Sequence, residues 1–111
     1  MSKTYYNKLV RDRIPGIIKS QDKTCEIEIL DDEAYLRALE AKLDEEVREF
    51  HENPSIEELA DILTVVTSIG LAMGISDVLL EQVMIQKYVA CGGFNDKILL
   101  KWVVDGREKN E

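Results

Sequence analysis

Apolar residues recur at the three-to-four-residue spacing of a helix through the middle of the chain. Over residues 32–51 they form one stripe of five, namely Leu36, Leu39, Leu43, Val47 and Phe50. The next segment, 55–73, is apolar nearly all the way round, which is typical of a helix that lies inside a fold. A third segment, 77–90, has buried candidates at Val78, Leu79, Val83 and Val89. The pattern predicts three helices.

Short polar and glycine signals separate these three segments. Asp31 or Asp32 is the predicted N-cap of the first helix, and Pro54 stops it. Ser55 and Ser76 are the predicted N-caps of the second and third helices. Each helix therefore has a start signal where the apolar period begins.

A strictly alternating segment comes before the first helix. Over residues 24–30 apolar and acidic side chains take turns, which predicts a half-buried strand. Its expected partner is the apolar run 98–104, which could equally close a helix. The predicted fold class is mainly α: a helical bundle with a small β accessory, formed as a single domain over residues 1–111.

The charge balance limits the classes of partner. The chain has 22 acidic against 14 basic residues and a net charge of −8, which argues against nucleic acid and anionic membranes as partners. A nucleotide bound through metal ions stays possible, since the cations reverse the local field. Two cysteines without a CxxC motif and one histidine argue against a Cys/His zinc site. With no apolar signal region and no run of about 18 apolar residues, we expect a cytoplasmic protein.

Five carboxylates lie within 17 residues on the first two predicted helices. Glu45, Glu46 and Glu49 fall within roughly one quadrant of the first helix, at about 100° per residue, beside its apolar stripe. Glu58 and Asp61 lie one turn apart on the apolar second helix. Carboxylates at a buried edge must be paired, protonated or bound to a metal, because removing an ionised group from water costs several kcal/mol.

Two structural explanations that involve no metal also apply to these acids. Ser55 and Glu58 have capping-box spacing, in which the Glu58 side chain would accept from the Ser55 amide. The other three glutamates could form a solvated helix face. Against that, Glu45 and Glu49 are an i,i+4 pair of like charges, which is mildly destabilising without a counterion.

An all-carboxylate site selects a hard cation. Mg²⁺ fits best, because it shares its coordination sphere with substrate phosphates, and Mn²⁺ could replace it. Four or five acids make two or more ions plausible, and such sites catalyse in-line displacement at phosphorus. The sequence has no Gly-rich phosphate loop of the P-loop kind.

Basic residues cluster near the start of the chain, at Lys8, Arg11 and Arg13. They form either a solvated arm that pairs with surface carboxylates or a group facing a polyphosphate, as arginine geometry suits. Pro15 could begin a short helical turn there.

The acid spacing is Glu45-Glu46-x-x-Glu49 followed by Glu58-x-x-Asp61. It resembles the motif of the all-α nucleoside triphosphate pyrophosphohydrolases. The segment 6–15, Tyr-Asn-Lys-Leu-Val-Arg-Asp-Arg-Ile-Pro, and Lys87 followed by Gly92-Gly93-Phe94 resemble the small MazG-like, phosphoribosyl-ATP-pyrophosphohydrolase-like branch. The resemblance covers nearly the whole chain.

The resemblance implies a helical Mg²⁺ enzyme that cleaves a nucleotide between its α and β phosphates. It implies that Glu46, Glu49, Glu58 and Asp61 are metal ligands. Glu45 would be a further ligand or the base that orients water. Members of the superfamily are commonly homodimers or homotetramers, so a second copy is an expected partner beside the nucleotide.

The phosphate-binding cations are expected to be Lys87 with Lys8 or Arg11. Basic residues often precede the Gly-Gly-Phe motif in the superfamily, whereas this chain has Val89-Ala90-Cys91 there. Two alternatives stay open: a phosphoribosyl-ATP pyrophosphohydrolase of histidine synthesis, and a non-catalytic helical module that uses its apolar helices to oligomerise.

Overall fold

The computed structural model describes residues 2–106, and these residues are mainly helical. Their four helices are α1 (Ile14–Ser20), α2 (Asp32–Glu52), α3 (Ile56–Ala72) and α4 (Asp77–Cys91). The three predicted helices are therefore confirmed as α2, α3 and α4, with ends within one residue of the prediction. The short α1 has its proline in the first turn, where the missing N–H costs no helical hydrogen bond.

The predicted caps explain where the three long helices begin. Asp31 is the cap of α2, and its Oδ1 accepts from the Ala34 amide at 2.8 Å. The Ser55 and Ser76 hydroxyls accept in the same way at the starts of α3 and α4, at 3.2 and 3.1 Å. Each cap satisfies one amide that the first helical turn leaves without a partner.

The described chain divides into two compact units between Leu80 and Glu81. In the first unit α2 packs against α3, and this contact contains the buried side chains Leu39 and Val65. The packing of α2 on α3 is what places the two acidic segments opposite each other. The prediction of one domain over residues 1–111 stays a prediction.

The expectation that the second helix lies inside the fold is wrong for one of its sides. Ile56, Leu59 and Leu63 are 77%, 49% and 64% exposed, although Val65 on the other side is buried. The buried candidates of the third helix are also exposed, from 42% at Val83 to 81% at Val89. An apolar helix pattern predicts that a face will be covered, but it does not say that the same chain covers it.

The predicted β accessory is not formed in residues 2–106. The segments 24–30 and 98–104 have neither strand nor helix structure there. Ile27 and Ile29 are 59% and 87% exposed, so the alternating face is not packed on a core. Alternation is a weak signal by itself, because a strand also needs a neighbour that pairs with its backbone N–H and C=O groups.

Over residues 2–106 we find no single helix that is long and apolar enough to cross a membrane, while α3 and α4 taken together meet the length and composition criteria as a broken pair.

Candidate metal centre

All five predicted acids come together between α2 and α3. Oxygen atoms of Glu45, Glu46 and Glu49 lie within 4.8 Å of one another, and so do oxygen atoms of Glu46, Glu58 and Asp61. We call these five residues the carboxylate cluster. Glu46 belongs to both triads, so it is the point where the two helices share the cluster.

Glu46 is the buried centre of the cluster. The residue is only 5% exposed, and its Oε2 has no hydrogen-bond donor among the described residues. The Oε2 of Glu58 is likewise buried without a donor. A buried acceptor with no donor is costly, because the oxygen has lost water and gained nothing in exchange.

The environment of Glu58 favours its protonated form. The neighbouring Glu46 carboxyl, the loss of water and the charges of Glu46, Glu49 and Asp61 raise the pKa of Glu58 to about 7. A proton held between Glu58 and Glu46 is one way to reduce the repulsion between two adjacent carboxylates. The described residues contain no hydrogen bond from the Ser55 amide to the Glu58 carboxyl, so only the serine half of the capping box forms.

A lysine that the sequence analysis missed lies inside the cluster. Lys42 on α2 places its Nζ 2.6 Å from Glu45 Oε2 and 3.3 Å from Glu46 Oε1. Burial alone would lower the pKa of Lys42, but the hydrogen bonds and charges of Glu45 and Glu46 outweigh burial and raise it. Helical spacing was the available signal, since positions three and four apart on a helix are neighbours.

The N-terminal segment supplies two more positive charges. Arg11 Nη2 lies 2.6 Å from Asp61 Oδ1, and Lys8 Nζ lies 3.0 Å from Glu45 Oε1. The hydrogen bond donated by Lys42 is the largest cause, with that of Lys8 also contributing, of a lowered pKa at Glu45. Glu45 is therefore an ionised carboxylate with a cation on each oxygen. In the structure these two basic residues pair with acids, and their predicted contact with a polyphosphate stays a prediction.

A small cavity opens beside Glu45, between the N-terminal segment and α2. Its volume is about 270 Å³, and its walls include the cations Lys8, Lys42 and Arg48 together with Asp44. Arg48 makes no ion pair among the described residues and was not singled out from the sequence. The cavity therefore combines a free guanidinium with the acidic edge of the cluster.

Lys87 lies on α4 in the second unit, where it lines a cavity of about 610 Å³ with Tyr88 and Phe94. Gly92 has a φ of +81°, which a side chain would strain. A Cβ at Gly93 would lie 2.8 Å from the Tyr88 ring. Local structure thus explains why glycine occurs at both positions. The role of Lys87 toward phosphate stays a prediction.

Comparison with known proteins gives one informative similarity. The chain is 55% identical over 42 residues to an uncharacterised protein of Mycolicibacterium smegmatis (strain ATCC 700084 / mc(2)155). The match covers 38% of this chain and 43% of that protein, so it spans less than half of either sequence. No family model and no solved structure matches the chain.

Proposed function

We propose that this protein is a divalent-cation-dependent nucleotide pyrophosphohydrolase, which cleaves between the α and β phosphates of a (d)NTP or related nucleotide. The observation that carries the proposal is the buried Glu46, shared by two carboxylate triads and with one oxygen lacking any donor. A solvated acidic face would not bury its central carboxylate in this way.

The residues present fit a hard cation. Every ligand atom of the two triads is a carboxylate oxygen, which suits Mg²⁺ first and Mn²⁺ as a substitute. Glu46, Glu49, Glu58 and Asp61 are the proposed ligands, as the motif resemblance implies. A bound divalent ion would supply charge neutralisation for phosphate oxygens and would acidify water.

The chain's own residues have separate proposed roles. Glu45, ionised and at the edge of the cluster, would accept a hydrogen bond from the attacking water and align it on the α-phosphorus. Lys8 or Arg11, with Lys87, would neutralise the departing pyrophosphate, because fixed cations stabilise charge that develops there. Lys87 enters this assignment from the motif alone.

The test is the identity of the released product. Purified protein with Mg²⁺ and a panel of (d)NTPs should release pyrophosphate and not orthophosphate. Glu49→Gln and Asp61→Asn should each remove nearly all of this activity. Glu57→Gln is the matched control, because Glu57 is an exposed acid on α3 outside both triads. If both cluster variants stay active, the assignment of the site is wrong.

A second substrate, phosphoribosyl-ATP, requires the same site and the same chemistry. An assay on that compound beside the (d)NTP panel separates the two. Selective turnover of phosphoribosyl-ATP would move the proposal to histidine synthesis.

A non-catalytic module that self-associates is the second candidate function. It is favoured by the apolar side of α3, where Ile56, Leu59 and Leu63 are exposed in the described part of the chain. Self-association into a homodimer or homotetramer is also compatible with the enzyme, so oligomeric state does not decide between them. The Mg²⁺ response does. A ligand at 100 times its Kd stabilises by about 2.7 kcal/mol, whereas a module without an ion site shows no shift.

A further inference from the structure

The N-terminal segment reaches the carboxylate cluster from far away in the sequence. Arg11 and Asp61 are 50 positions apart, and Lys8 and Glu45 are 37 positions apart. Residues 2–11 contain neither helix nor strand, and these side-chain contacts join the segment to α2 and α3. We call residues 7–11 the strap.

The strap cations occupy cluster oxygens. Arg11 Nη2 is 2.6 Å from Asp61 Oδ1 and also 3.4 Å from the Thr64 hydroxyl. Lys8 takes one oxygen of Glu45, and Lys42 takes the other. By contrast, the donor-free oxygens belong to Glu46 and Glu58, which the strap does not contact. The strap thus contacts the rim of the cluster, at Glu45 and Asp61, and does not contact its buried centre.

A guanidinium and a divalent ion compete for the same carboxylate. Both need oxygen lone pairs of Asp61, and like charges held this close repel each other. The cost of releasing the arginine is small, because Arg11 and Asp61 are 58% and 34% exposed and exposed ion pairs are weak. These exposures indicate that a divalent ion could displace Arg11 from Asp61.

We propose that Lys8 and Arg11 are resident counterions of the cluster, which a divalent ion displaces, so that the strap lowers ion affinity and is released when the ion binds. This inference rests on the proposed ion site, and it assigns the strap a role that the site itself does not require. The strap would be a reporter of ion occupancy, with its two cations freed for an anionic ligand only after the ion is in place.

The test is the affinity for Mg²⁺ alone, measured by calorimetry on the full chain without nucleotide. The combined Lys8→Met and Arg11→Met variant should bind Mg²⁺ about tenfold more tightly than the unaltered protein, which is the size that two exposed ion pairs allow. Without the ion, the same variant should unfold at lower urea concentration, because the acids have lost their counterions.

Arg48→Met is the matched control. It removes one positive charge from α2 beside the cluster, but among the described residues Arg48 pairs with none of the acids. Any gain it shows measures the general loss of positive charge, and salt screens that part. The single variant Arg11→Met should exceed this gain, while Arg11→Lys should lie between Arg11→Met and the unaltered protein.

A second measurement follows the strap directly. Trypsin should cleave after Lys8 and Arg11 faster when Mg²⁺ is added, since both side chains leave their carboxylates. An unchanged cleavage rate at saturating Mg²⁺, or an Arg11→Met affinity no higher than that of Arg48→Met, overturns the inference while leaving the ion site intact. If neither the unaltered protein nor any variant binds Mg²⁺, the proposed function fails along with the inference.

Discussion

The two sides of α3 differ in exposure: one side packs on α2, and the other is exposed to solvent. The side that faces α2 has the buried Val65 and the acids Glu58 and Asp61, and one of these acids is paired with an arginine from the strap. The other side presents Ile56, Leu59 and Leu63 to solvent. One helix therefore has an acidic cluster on one side and, among residues 2–106, an exposed apolar face on the other.

The apolar residues and the acids of α3 can therefore be considered separately. Its apolar residues suggested an interior helix, and its acids suggested a metal site at the edge of that interior. The acids of α3 come together with those of α2, and the strap adds its cations on the same side, so the geometry of the cluster does not depend on cover for the opposite face. Substitutions can therefore disrupt the proposed ion site and the apolar face of α3 one at a time.

The largest expected effect comes from the covered side. Leu39→Ala removes a side chain that is 3% exposed and should lower the free energy of unfolding by about 2–5 kcal/mol. Urea denaturation measures it, and the loss should be the same at low and high protein concentration because the cavity lies within one chain.

Leu63→Ala is the matched substitution on the uncovered side. Leu63 is 64% exposed, so in a monomer its loss should be well under that of Leu39. If a second copy covers the face, the cost should rise toward the core value and grow with protein concentration. Equal, concentration-independent losses at the two positions would remove the contrast between the sides.

The next effect isolates the centre of the cluster. Glu46→Gln removes the charge shared by both triads, so the stabilisation of about 2.7 kcal/mol by Mg²⁺ at 100 times its Kd should disappear. Without ions the variant loses a buried oxygen that lacks a donor but also the ion pair with Lys42, so its stability should change little. Thermal unfolding with and without Mg²⁺ measures both effects, and Glu57→Gln should keep the full response. A destabilised variant that still responds to Mg²⁺ would make Glu46 a structural residue.

The cluster was predictable because its information is local. Helical spacing put three glutamates on one quadrant and two acids on one turn, and the packing of α2 on α3 did the rest. Lys42 was missed although it has the same kind of local signal, three and four positions before its acids. Lys8 and Arg11 were expected to meet either carboxylates or a polyphosphate, and no local rule identifies a contact across 50 positions.

The failed predictions concern non-local partners. The segment 24–30 has the alternation of a strand, yet a strand requires a neighbour, and alternation carries no information about one. The prediction that the valines of α4 are buried fails for the same reason. Their spacing predicts a covered face, but it does not identify the element that covers it. The position of a residue within its own helix could be predicted, whereas the neighbour that pairs with a strand or covers an apolar face could not.

A smaller effect follows from the raised pKa of Glu58. Its pKa is about 7 in the folded chain against 4.5 for an ordinary glutamate, so between these values the folded state holds a proton that the unfolded state has lost. The resulting stabilisation is complete below about pH 4.5 and is lost as the pH rises through 7. Ion-free unfolding experiments from pH 5 to 8 should show this decline, and Glu58→Gln should flatten it. If an ion replaces the proton, as the proposed site requires, Mg²⁺ should stabilise the protein most at the alkaline end. An unchanged slope in Glu58→Gln would assign the decline to other groups.

The smallest effect tests whether Glu58 serves the helix cap or the cluster. Ser55→Ala removes the hydroxyl that accepts from the Glu58 amide and should cost about 1 kcal/mol of stability, as loss of a cap does. The Glu58 carboxyl makes no bond to the Ser55 amide in the described structure, so the substitution leaves the Glu58 carboxyl unaltered. The Mg²⁺ affinity of Ser55→Ala should therefore equal that of the parent protein in calorimetry. A weaker affinity would mean that the start of α3 positions the Glu58 carboxylate. The helix cap would then contribute to the geometry of the cluster.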